Sequence, residues 1–155
     1  MLPTMTSTDR IEKTILLRAP RSRVWRALTD AGEFGAWFRV KLEGAFAEGA
    51  TVRGTITHPG YEHLKMELLV ERMDPERLFS YRWHPYAVSP DVDYSAEPTT
   101  LVEFRLEEKA GGTLLTIVES GFDRIPGGRR AEAFRMNDRG WSDQTANIER
   151  HVSPA

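Results

Sequence analysis

The 155-residue chain contains no cysteine. That absence excludes disulfides, thiol nucleophiles, iron–sulfur clusters and cysteine-based zinc sites. Basic residues are not in excess: 21 Lys and Arg stand against 23 Asp and Glu, a net charge of −2. Nucleic-acid binding through phosphate contacts is therefore not expected. No run approaches the roughly 18 consecutive apolar residues of a membrane span. Residues 1–10, MLPTMTSTDR, have no apolar h-region of the kind a signal peptide needs. A cytoplasmic setting is the expectation, with residues 1–10 as a flexible tail. Catalytic signatures are equally scarce. Ser80, Ser89 and Ser120 lack a G-x-S-x-G context. Gly111-Gly112 and Gly127-Gly128 are turn signals without G-x-G-x-x-G or G-K-[ST], so no cofactor is expected. His58, His63 and His84 match no zinc spacing, and strand geometry divides them between faces, so no metal is expected either.

What the chain does hold is an ordinary globular composition, 40% apolar and 28% charged. One domain over residues 11–155 is expected, burying roughly 70% of the surface of its unfolded chain. Residues 11–18 (IEKTILLR) read as a first strand. Pro20 fits the first position of a helix, and Val24, Trp25 and Leu28 recur at helical spacing. Asp30 is placed to cap a second short helix over residues 31–38. Strands follow at 39–43, 51–58, 61–73, 78–84, 99–109 and 113–120, divided by Pro59-Gly60, by Asp74-Pro75-Glu76 and by Gly111-Gly112. Residues 85–98 (PYAVSPDVDYSAEP) form the longest irregular segment, a length often used for lids and binding loops. From Arg129 the period turns helical through Ala131, Phe134, Asp138, Trp141, Thr145, Ile148 and Val152. Strands segregated from helices predict an α+β fold: an antiparallel sheet of about six or seven strands, two short helices after the first strand, and one long C-terminal helix.

Taken in order, certain segments resemble a known family. They are IEKTILLRAPRSRVWRALTDAGEFGAWF over residues 11–38, Met73-Asp74-Pro75-Glu76-Arg77-Leu78 before Tyr81-Arg82-Trp83, the hairpin strand from Gly112 to Phe122, and Gly140-Trp141 on the last helix. This order resembles the START-like SRPBCC superfamily, in the branch of the C-terminal domain of the heat-shock-protein ATPase activator. The resemblance implies a helix-grip fold with a cavity between the curved sheet and the long helix. It does not imply one activity, since such folds include lipid and hormone binders, polyketide cyclases and co-chaperone domains. The chain departs from the family in one place. Thr145 stands four residues after the Gly-Trp pair, where leucine is usual.

With the apolar strand faces turned inward, the cavity is expected to be lined by Met66, Leu68, Tyr81, Trp83, Phe104, Ile117, Phe134 and Trp141, with Val52, Ile56 and Leu115 nearby. Three polar residues share those faces. Glu119 is in register with Leu115 and Ile117, and an unpaired buried carboxylate costs several kcal/mol, so it needs a partner, a proton or water. His58 follows Ile56 before the turn, and Thr145 faces the same way from the helix. A polar end of Glu119, His58 and Thr145 opposite an aromatic wall is the expected site. The leading function is binding of a small, mostly apolar, lipid-like or aromatic molecule. Two alternatives stay open: a polyketide cyclase/aromatase-like enzyme using Glu119, Tyr81 and His58 for acid–base work, and a co-chaperone-like interaction module with a chaperone partner. A homodimer is left open as well. Arg129, Arg130 and their neighbours Arg124, Arg135 and Arg139 read as a solvated basic face.

Overall fold

A computed structural model describes residues 9–89 and 91–154. Strand β1 (Arg10–Leu17) leads to helices α1 (Arg21–Thr29) and α2 (Ala31–Phe38). Strands β2 (Val40–Glu43), β3 (Thr51–Ile56), β4 (Lys65–Asp74), β5 (Leu78–Trp83), β6 (Thr100–Lys109) and β7 (Gly112–Ser120) follow. A 3-10 turn (Phe122–Arg124) precedes α3 (Gly127–Val152). The strands form one antiparallel sheet in the order β1-β7-β6-β5-β4-β3-β2. The expected α+β architecture holds. Of the expected tail, residues 1–8 lie outside the described residues, and Arg10 already opens β1.

Local chemistry explains the breaks. Asp30 caps α2 by accepting from the Glu33 N–H at 2.9 Å. Pro20 stands just before α1, at its N-cap, one position earlier than expected. Gly112 has φ +151°, and a Cβ there would stand 1.9 Å from the Leu17 carbonyl oxygen, so only glycine lets β7 close against the end of β1. Alternation then sorts each strand. Val102, Phe104 and Leu106 on β6, with Leu115 and Ile117 on β7, are buried on the concave face. The opposite face holds one surprise. Ser80 is only 3% exposed beside its cross-strand partner Glu103.

Helix α3, about 39 Å long at 1.5 Å per residue, lies in the concavity. It buries Ala133, Trp141, Ile148 and Val152. The inward stripe runs through Ala133, Asn137 and Trp141 at i, i+4 spacing, not through Ala131 and Asp138 as the sequence suggested. Ala131 is exposed, and Asp138 pairs with Lys13 of β1 at 3.0 Å. The Trp141 ring packs 5.7 Å from Phe104 and 5.8 Å from Trp83, so helix and sheet share one aromatic core.

The far end of α3 is tied down by charge. Glu33 of α2 accepts from Arg23 at 2.5 Å and Arg26 at 2.8 Å, both on α1, and from His151 of α3 at 2.9 Å. Burial alone would raise its pKa, but the hydrogen bonds from His151, Arg23 and Arg26 outweigh it and hold the value at about 2. A depressed folded pKa stabilises above the usual carboxylate range, and that stability is lost as pH falls toward 2. After discounting for solvent screening, the loss is about 1–2 kcal/mol. Urea unfolding of the wild type at stepped pH should show this fall, and Glu33→Gln should flatten it. An unchanged slope in the variant would refute the clamp.

Candidate functional site

Glu119 sits at the inner end of β7 and is fully buried. Its carboxylate is the meeting point of three elements. Trp83 Nε1 of β5 donates to Oε2 at 2.7 Å, and Thr100 Oγ1 of β6 donates to the same oxygen at 2.5 Å. Trp141 Nε1 of α3 donates to Oε1 at 2.8 Å. Asn137 Nδ2, one turn earlier on α3, lies 3.0 Å from Oε1 and 3.2 Å from Oε2. The register arranges this. Glu119 pairs with Val102, and Thr100 pairs with Trp83, so the two donors fall diagonally beside the carboxylate. Burial pushes the Glu119 pKa above its ordinary value, while the donors on Thr100, Trp83, Trp141 and Asn137 pull it back.

A cleft of about 590 Å³ opens beside this cluster. Its inner wall is Phe38, Ile56, Met66, Trp83 and Asn137, and its outer wall is formed by Tyr86, Val88, Val92 and Tyr94. One arginine pins that outer wall. Arg129, on the first turn of α3, donates through Nη2 to Glu97 at 2.9 Å and to the Pro85 carbonyl at 2.7 Å. Its Nη1 donates to the Tyr86 carbonyl at 2.7 Å. Its guanidinium carbon also stands 4.7 Å from the centre of the Tyr94 ring. The side chains of Arg129 and Glu97 are 19% and 20% exposed, so Arg129 is a half-buried latch and not part of a solvated face.

The structure scatters the expected site residues. Met66 and Trp83 line the cleft. Leu68, Tyr81, Phe104 and Ile117 are fully buried core, and Trp141 is buried on Glu119. Phe134 is half-buried against Phe122, with ring centres 5.2 Å apart. His58 is exposed at the rim, its Nδ1 3.1 Å from the Pro59 carbonyl, and it does not approach Glu119. Thr145 donates to the Ser142 carbonyl of its own helix at 2.8 Å. The three polar residues expected together are therefore apart. His63 and His84, which fit no zinc spacing, both line the cleft; His63 is exposed and His84 half-buried. Asn137, Thr100, Phe38 and the aromatic residues of the 85–98 segment were missed. Asn137 was findable, because it lies four residues before Trp141 on the same helix face. No group of three or more His, Asp or Glu side chains fit to hold a metal occurs among the described residues.

Tyr81 lies in the core near Glu119. Its hydroxyl is buried with no hydrogen-bond partner among the described residues. Burial and then the nearby Glu119 carboxylate push its pKa well above the usual value. Removing an unpartnered buried hydroxyl removes a desolvation cost, so Tyr81→Phe should leave stability unchanged or raise it by up to about 1 kcal/mol. Chemical denaturation measures this. A loss beyond about 1 kcal/mol would mean that the hydroxyl is bonded in solution.

Sheet, long helix and side cleft together define a helix-grip domain. The family model for the Activator of Hsp90 ATPase homolog 1-like protein matches residues 18–153, and the chain belongs to this family. Comparison with curated proteins found no match. Solved structures agree on the fold. DynU16, from the dynemicin biosynthetic locus, is 24% identical with a TM-score of 0.71 over 93% of this chain. The match spans 47% of DynU16, so the chain corresponds to about half of that protein. Protein MLL2253 from Mesorhizobium loti is 23% identical with a TM-score of 0.72, covering 92% of this chain and 96% of its own. The Aha1 dimer from Colwellia psychrerythraea is 15% identical with a TM-score of 0.70, covering 93% and 96%. No helix among the described residues is long and apolar enough to cross a membrane.

Proposed function

We propose that this chain binds a small, mostly apolar, aromatic molecule in the cleft between β5, α3 and the 85–98 segment, and releases it unchanged. The single observation that carries this reading is an aromatic-walled cleft of about 590 Å³, within the range of small-molecule sites. Support for binding over the cyclase alternative comes from the three residues that alternative would use. Glu119 spends both oxygens on four protein donors, Tyr81 is sealed in the core, and His58 stands outside at the rim. A general base must reach the proton it removes, and none of these three faces the cleft free to do so. Lipid and hormone binders within the resembling superfamily point the same way, as analogy of fold.

Thermal unfolding against a panel of neutral aromatic and lipid-like compounds tests the proposal. A true ligand at a hundred times its Kd adds about 2.7 kcal/mol of stability, which moves Tm by several degrees. Recovery of the compound unaltered separates binding from cyclase-like turnover. Absence of any stabilisation across the panel would overturn the reading.

A further inference from the structure

We infer that the cleft selects an uncharged aromatic ligand carrying a hydroxyl or N–H donor at its inner end, and discriminates against carboxylates and ethers of the same shape. This rests on the binding function proposed above and specifies its ligand class.

Glu119 faces Trp83 and Trp141, whose indole N–H groups only donate, so its carboxylate is an acceptor there. Asn137 must then turn its NH2 to Glu119, as it does at 3.0 and 3.2 Å, which directs its Oδ1 the other way. Asn137 lines the cleft, and no described residue donates to that oxygen. His84 gives a second acceptor. Its Nε2 lies 3.0 Å from the Glu97 carbonyl, which can only accept, so Nε2 carries the proton. In the neutral ring Nδ1 is left with a lone pair, and no described residue donates to it. The ring lines the cleft.

Most donors near these acceptors are spent. Trp83 N–H and one N–H of Asn137, shared between both carboxylate oxygens, go to Glu119, and Arg129 goes to Glu97, Pro85 and Tyr86, so the second N–H of Asn137 is, among the described residues, the one donor left at the inner end. The other lining residues with side-chain donors, His63, Lys65, Tyr86, Ser89, Tyr94 and Ser95, belong to the rim and the outer wall, where Lys65 already reaches Thr55 at 3.2 Å. Carboxylates of Glu67 and Asp93 stand among the lining residues as well. A buried ligand group must satisfy the acceptors or leave them unpaired. A phenol or an aryl amide can do so. A carboxylate meets acceptors and like charge, and an ether offers no proton.

Isothermal titration of the full chain with naphthol, its methyl ether and naphthoate decides the matter, because the three share one aromatic body. Naphthol should bind at least about tenfold more tightly than either of the others. In His84→Phe, which keeps the wall apolar and whose folding is checked by thermal unfolding, that preference should shrink severalfold. Equal binding of all three would leave the cleft a ligand site and overturn the inference. Tightest binding of naphthoate, or an undiminished preference in His84→Phe, would overturn it too. Binding of none would overturn the proposed function, and this inference with it.

Discussion

Glu119→Ala is expected to destabilise the fold by about 4 kcal/mol, a Tm loss of about 10 °C for a domain of this size. The loss comes from the donors that the substitution strands. Trp141 Nε1 and Thr100 Oγ1 are buried donors with no other acceptor in place, and each orphaned donor costs about 1–3 kcal/mol. Trp83 and Asn137 border the cleft and can turn to water, so they add less. Glu119→Gln should fall between, because one amide N–H must face an indole N–H. The pH dependence has a definite sign. With a folded pKa raised by burial, Glu119 stabilises most below the usual carboxylate pKa near 4.5, and the contribution is lost as pH rises through the folded value. The gap between wild type and Glu119→Ala should therefore narrow as pH rises. Urea titration across pH measures both effects. A variant as stable as wild type would show that the four donors are satisfied without the carboxylate.

Arg129→Ala should act locally. The side chain joins α3 to Glu97, Pro85, Tyr86 and Tyr94, so its loss frees the outer wall while the aromatic core stays closed. Amide exchange in residues 85–98 is expected to speed by about 100-fold, with little change in the protection of β6 and β7. Any cleft ligand should bind about tenfold more weakly, because part of its binding energy must then order the loop. Arg129→Lys should not rescue this, since an ammonium cannot serve a carboxylate and two carbonyls in one plane. Hydrogen exchange followed by mass spectrometry reads the result. Unchanged exchange in the loop would contradict the latch.

These two residues mark how far the sequence can be read. Periodicity exposed the strands of β6 and β7 because alternation is strict where one face is buried. It also placed Glu119 inward. It could not name the donors, because Thr100, Trp83 and Asn137 come from three elements whose approach depends on register and helix rotation. A one-position offset in the phase of α3 replaced Asn137 with Asp138 on the expected inward face. Arg129 read as solvated for a similar reason. Its partners lie 32 to 44 residues away in a segment with no period to follow. Among the histidines, His58 continues the apolar alternation of Val52 and Ile56 in the sequence, but β3 ends at Ile56, before the histidine is reached. His84 fell just beyond β5, and its role depends on a single carbonyl of the 85–98 segment.

The most direct test of the account is the indole N–H spectrum of the four tryptophans, Trp25, Trp37, Trp83 and Trp141, recorded by 1H–15N NMR while naphthol is added. The account predicts that Trp83, which is both cleft wall and Glu119 donor, and the Asn137 side-chain amide shift together. Trp141 should follow weakly, and Trp25, on α1, should stay fixed. Shifts confined to Trp25, or ligand binding that leaves Trp83 and Asn137 unmoved, would contradict it.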